Sequence, residues 1–148
     1  MSENKSNPKP VLKITGEPRG YNRILVIEDS DVDFFTEETL IKNITHTQKV
    51  ERNISTVSVL ENIKKANKLT EIPDLILLGL SSNNKVAIKF LEDFNQLSDF
   101  IKNKCKIVVM SNLLEKDEKY RILLNPNVIG YLNKPLDAFQ LKNFIINS

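Results

Sequence analysis

The sequence predicts a doubly wound α/β sandwich, one parallel sheet of five strands flanked by five helices. Three observations predict it. Short aliphatic runs recur along the chain, among them Ile24 to Ile27, Leu75 to Leu78 and Ile107 to Met110, and a strand buried on both faces reads this way. Segments of helical period separate them. Each connection is long enough to cross over a sheet, which calls for parallel pairing with helices on both faces.

The elements follow in order. Residues 1–20 hold three of the six prolines (Pro8, Pro10, Pro18) and two of the four glycines (Gly16, Gly20), a composition unfavourable to helix and ladder alike. They read as a flexible or loosely docked tail, with Val11, Leu12 and Ile14 available to pack on the body, and residues 21–148 read as one domain. Ile24 to Ile27 is the first strand. Ser30 or Asp31 then caps a helix in which Val32, Phe35, Thr36, Thr39, Leu40 and Ile44 recur at three-to-four spacing. Gln48 to Ile54 is the second strand, and Val57 to Lys68 a second helix that buries Val59, Leu60, Ile63 and Ala66, with Pro73 ending the unit. Leu75 to Leu78 is the third strand. Ala87, Phe90, Leu91, Phe94, Leu97 and Ile101 mark the buried stripe of a third helix. Ile107 to Met110 is the fourth strand, Glu115 to Leu124 the fourth helix, Val128 to Leu132 the fifth strand, and Pro135 with Asp137 starts a last helix through Leu141, Phe144 and Ile145.

Composition narrows the function classes. Hydrophobic residues make up 41% and charged residues 27%, and no apolar run approaches the ~18 residues of a membrane helix. Met1 to Pro10 lacks the apolar core of a secretory signal, so a cytoplasmic location is expected, with no membrane partner. With Cys105 as the single cysteine, an internal disulfide, a cysteine zinc cluster and an iron–sulfur site are excluded. The net charge of +2 resides in residues 1–20, and the body is neutral. It offers no basic face for phosphate, so nucleic acid is not an expected partner.

Sheets of this class bind ligands beyond the carboxyl ends of their strands. After the first strand come Glu28, Asp29, Ser30 and Asp31, with no glycine to let backbone amides approach a phosphate, which disfavours dinucleotide and P-loop chemistry. Adjacent acids there suit a hard cation such as Mg²⁺ better than they suit helix capping alone. The third strand ends in Gly79, the fourth in Ser111, and the fifth is followed by Asn133, Lys134 and Pro135.

With ILVIEDS over Ile24 to Ser30, PDLILLGL over Pro73 to Leu80 and GYLNKPL over Gly130 to Leu136, the stretch from Arg23 to Ile146 resembles the receiver domain of two-component response regulators. The resemblance implies the flavodoxin-like receiver fold and a place in phosphorelay signalling. It also implies roles. Glu28 and Asp29 match the acids that hold Mg²⁺, Ser111 the hydroxyl that contacts the phosphoryl group, Lys134 the lysine that pairs with it, and Tyr131 the aromatic that changes rotamer on activation.

The phosphoacceptor departs from the pattern, because Gly79 stands where the family has its aspartate. Ser81 to Ala87 also lack the family's proline and glycine. Glycine has no side chain to attack phosphorus, so no acyl phosphate forms at position 79. The resemblance is thus to a pseudo-receiver, with Glu28, Asp29, Gly79, Ser111 and Lys134 as a remnant phosphorylation pocket and no catalytic residue. Lys134 is expected to pair with Glu28 or Asp29, which leaves a weak or lost Mg²⁺ site and no other cofactor. Gly79→Asp would return a carboxylate to that pocket.

Other residues read plainly: His46 as a surface histidine, Cys105 as a buried or half-buried thiol, and Asp31, Asp33 and Asp74 as substitute acceptors that lie away from the position Lys134 and Ser111 would face. The expected function is that of a stand-alone, non-enzymatic signalling protein, the chain ending just after the fifth helix. It would be a monomer or weak homodimer that meets a histidine kinase or other signalling protein. The resemblance implies a contact face of fourth helix, fifth strand and fifth helix, displaying Lys116, Glu118, Lys119, Asn133 and Lys142. The alternatives are an orthodox phosphorelay regulator with an engineered or atypical acceptor, and a flavodoxin-like cofactor carrier. Against the second stand the missing phosphate loop and the absence of tryptophan.

Overall fold

The structure, a computed structural model, describes residues 21–79, 84–112 and 115–147, so the tail expected over 1–20 and the residues Ser81 to Asn83 lie outside it. Strands β1 (Arg23–Ile27), β2 (Lys49–Asn53), β3 (Leu75–Gly79), β4 (Lys106–Ser111) and β5 (Val128–Asn133) pair in parallel in the order β2-β1-β3-β4-β5. Around them are α1 (Asp31–Ile44), α2 (Thr56–Lys64), α3 (Asn84–Asn95), α4 (Asp99–Lys104), α5 (Lys116–Leu123) and α6 (Ala138–Asn147), with a 3₁₀ turn over Leu69–Glu71. From β1 the chain runs outward to β2 and then returns to the other side of β1. The carboxyl ends of β1 and β3 therefore flank the point where the winding reverses, where this architecture opens a crevice.

Strand alternation divides the core into two layers. Ile24, Val26, Leu75, Leu77, Val108 and Met110 pack with Ile41 of α1 and with Leu141 and Ile145 of α6. Ile27, Ile76, Leu78, Ile107 and Val109 pack on the opposite face with Val59, Ile63, Phe90, Phe94, Ile101 and Ile122. β2 is an edge strand and polar, and Arg23 and Lys49 both pair with Glu51 there, at 2.8 and 3.2 Å. Asp74 fastens the amino end of the sheet by accepting from the backbone N–H groups of Asn22 and Arg23 and pairing with Lys104.

Three expectations are corrected. The stripe from Ala87 to Ile101 is buried throughout, yet the helix breaks. Gln96 and Leu97 donate to the carbonyls of Asp93 and Phe94, tightening the last turn to 3₁₀, and Ser98 restarts the chain as α4, so among the described residues six helices flank the sheet rather than five. The second helix stops at Lys64 instead of Lys68. On α1, which Ser30 caps by accepting from Asp33 N at 3.2 Å, Val32 and Phe35 are 75% and 70% exposed, and the buried positions are Glu37 and Ile41. A glutamate at a core position hides the true face from any apolar count.

Pairing of β4 with β5 shifts register between Ile107 and Val108, skipping Ile129, and Gly130 follows. A Cβ on Gly130 would lie 2.8 Å from the Phe144 ring of α6. Gly130→Ala should therefore destabilise the fold by about 1–3 kcal/mol through overpacking, read by urea denaturation. In a Phe144→Leu background the penalty should largely vanish. An equal cost in both backgrounds would contradict the assigned contact.

Candidate functional site

Glu28 is the first residue beyond β1 and Gly79 the last of β3, and both continue the alternation that faces α1 and α6. The Glu28 backbone is held by N–H donation to Asn53 O at 3.0 Å and by acceptance from Arg52 Nε at 3.0 Å. Its Oε2 accepts from Ser30 N at 3.2 Å, and the side chain is fully buried. Oε1 lies 2.7 Å from Lys134 Nζ, a Coulombic contact made outside well-aligned hydrogen-bond geometry. A Cβ on Gly79 would overlap Glu28 Oε1 outright and stand 3.0 Å from its Cδ and 3.1 Å from Ile27 O. The Glu28 carboxylate thus fills the volume that a side chain at position 79 would enter.

Lys134 follows β5 and precedes Pro135 across a cis peptide bond. Its side chain is 5% exposed, and its Nζ reaches Asp33 Oδ2 at 3.1 Å as well as Glu28. Burial disfavours the ammonium, but Glu28 and Asp33 outweigh it and hold its pKa above the usual lysine range. One turn along α1 from Asp33, Glu37 is buried against Glu28. Burial first, then its hydrogen bond with Glu28 and the charges of Glu28 and Asp33, push the Glu37 carboxyl up to about 9, so it carries a proton at neutral pH. Among the described residues, the acids Glu28, Asp33 and Glu37 gather around the Lys134 ammonium.

Of the residues singled out in the sequence, Glu28, Gly79 and Lys134 come together. Asp29 is exposed, and Lys134 pairs with Glu28 rather than with Asp29. Ser111 is fully buried at the end of β4, and its carbonyl accepts from Tyr131 Oη at 2.7 Å and from Lys134 N at 3.4 Å. Tyr131 packs against the core layer of α2 to α5, with Lys119 Nζ 4.5 Å from its ring centroid. Asp33 is a correction, since it meets Lys134 directly. Asp31 pairs instead with Arg52 at 2.8 Å, and Asp74 belongs to the opposite end of the sheet. His46 is exposed, and burial pushes the Cys105 thiol up to about 12, which leaves it unreactive.

Glu37 was missed, and Asp33 was placed away from Lys134. Their i, i+4 spacing places them on one helix face beside the strand-end acids, and that was the available signal. A divalent cation does not fit the residues as they stand. Glu28 is turned onto an ammonium, Asp29 stands apart, and no group of three or more His, Cys, Asp or Glu among the described residues is arranged to hold a metal.

Glu37 carries a pH dependence whose sign follows from its shift. Its carboxyl titrates near 4.5 when unfolded and about 9 when folded, so the native state holds a proton that the unfolded chain releases between those values. Stability should fall as pH rises across that window, by at most about 1.4 kcal/mol per unit. Asp74 and Glu51, whose pKa values are lowered, act in the opposite sense and only in the acid range below that window. Urea denaturation from about pH 5 to pH 9 should show this decline. Glu37→Gln, which keeps a donor toward Glu28, should flatten it, and an equal slope in the variant would contradict the assignment.

No protein-family model and no curated protein matches the chain. Solved structures do. A response regulator receiver protein from Dyadobacter fermentans is 24% identical with a TM-score of 0.69, covering 87% of this chain and 96% of its own. A two-component response regulator from Cytophaga hutchinsonii is 21% identical with a TM-score of 0.71, covering 88% of this chain and 100% of its own. A third, from Legionella pneumophila, is 27% identical with a TM-score of 0.67, covering 85% of this chain and 98% of its own. The sheet order and these likenesses agree: the chain has the flavodoxin-like receiver fold of two-component response regulators.

Proposed function

We propose that the protein is a receiver-like signalling module that acts through protein–protein contact and takes no phosphoryl group at position 79. One observation carries this reading. The strand end from which an acceptor carboxylate would extend is Gly79, and the space beside it is held by Glu28 on Lys134. Phosphorylation of a receiver needs a carboxylate oxygen to bond to phosphorus as the donor's leaving group departs, and glycine supplies no such oxygen. The likeness to solved response regulators supports a histidine kinase or other signalling protein as the partner.

The surface supports a protein partner. Tyr120, Leu123 and Ile129 are exposed on α5 and β5, and Lys116 and Lys119 on α5 and Lys142 on α6 are exposed as well. Exposed apolar side chains among charged ones suit contact with another protein. No helix among the described residues is long and apolar enough to cross a membrane, and a cytoplasmic place belongs to the proposal.

A second reading has one observation in its favour. Asp33 is partly exposed and 3.1 Å from Lys134, which offers a second carboxylate beside the lysine in place of the missing one. Treatment with acetyl phosphate and Mg²⁺ followed by intact mass measurement separates the two. No phosphoryl adduct is expected. A base-labile adduct mapping to Asp33 would establish the second reading and end the first.

A further inference from the structure

We infer that Glu28 stands in for the side chain missing at position 79, supplying from the end of β1 the carboxylate that Lys134 requires. The inference rests on the reading of position 79 above and deepens it, because it makes Glu28 the positioning residue of the pocket.

Three observations converge on this. Lys134 is nearly sealed from water, and a buried ammonium needs a counter-charge that is buried with it. Asp33 is the more exposed of its two partners, with a third of its side chain in contact with solvent, whereas Glu28 is wholly enclosed and makes the shorter contact. With Glu28 placed as it is, a Cβ at 79 would crowd Oε1, so any other residue there requires the end of the Glu28 side chain to shift. Glycine and glutamate therefore form a linked pair, and a side chain added at 79 must move the carboxylate relative to Lys134.

Displacement has different consequences for different residues. Ala or Asn at 79 would displace Glu28 and leave Lys134 with the partly exposed Asp33 as its remaining partner. Asp, nearly the same shape as Asn, would displace Glu28 but bring a replacement carboxylate to the same ammonium. A purely steric role for Gly79 makes Asp and Asn equivalent. Disturbance at Lys134 also has a route outward, because its backbone N–H and the Tyr131 hydroxyl share the Ser111 carbonyl and Lys119 covers the Tyr131 ring.

Thermal midpoints of Gly79→Ala, Gly79→Asn and Gly79→Asp, together with the ring resonances of the three tyrosines, test the inference, with Tyr21 and Tyr120 as internal references. Ala and Asn should lower the midpoint by about 6 °C or more and shift the Tyr131 signal. Asp should lower it by less than half as much and leave Tyr131 near its wild-type position. Equal losses for Asp and Asn, or a smaller loss for Asn, would overturn the stand-in role. If no variant at 79 folds, Glu28→Asp decides: withdrawing the carboxylate by one methylene should shift Tyr131, and an unmoved Tyr131 would overturn the inference. The two readings fail separately. Phosphorylation of the wild-type chain would remove the proposed function, whereas the Asp–Asn comparison addresses Glu28 alone.

Discussion

Burying the ammonium of Lys134 sets the condition that the rest of the pocket meets. An amine removed from water is tolerated only beside a carboxylate removed with it, and losing one member of such a pair costs about 3–5 kcal/mol. Against a total stability of roughly 5–15 kcal/mol for a domain, that is decisive. Glu28 meets the condition, Asp33 shares it from the partly exposed side, and Glu37 remains neutral so that the negative charges around one ammonium do not multiply. Gly79 leaves the space in which the arrangement closes.

The fold makes this arrangement short-range. Parallel strands bring the ends of β1 and β3 side by side at the reversal of winding, while β5 delivers Lys134 to the same end. Helix α1 leaves β1 after a turn of three residues, capped by Ser30, so its first two turns necessarily pass over the strand ends. Residues distant in sequence thus meet without a dedicated loop. Tyr131, anchored by its hydroxyl and covered by Lys119, carries the arrangement toward α5 and β5, where the exposed apolar side chains lie.

Much of this was legible in the sequence because it depends on local order. The four-residue aliphatic runs marked the strands, and their endings marked Glu28, Gly79, Ser111 and Lys134 as neighbours. What escaped did so for physical reasons. Val32 and Phe35 resembled a buried stripe because large apolar residues normally lie inside, yet on α1 the inner face is partly acidic and Glu37 holds a position that an apolar count assigns to the outside. The break between α3 and α4 leaves the buried stripe intact, so periodicity had nothing to register. The inward turn of Glu28 depends on space created 51 residues later in the chain, which no local pattern encodes.

The Lys134 ammonium is the most direct witness to the central pairing. Exposed lysine ammonium protons exchange with water too fast to be seen near neutral pH, whereas a buried, ion-paired one is protected. Nitrogen-15 correlation of the lysine side chains should show one protected ammonium in the wild-type protein, absent in Lys134→Met and exchange-broadened in Glu28→Gln. A protected signal that persists unchanged in Glu28→Gln, or no protected signal in the wild type, would contradict the pairing on which the pocket is built.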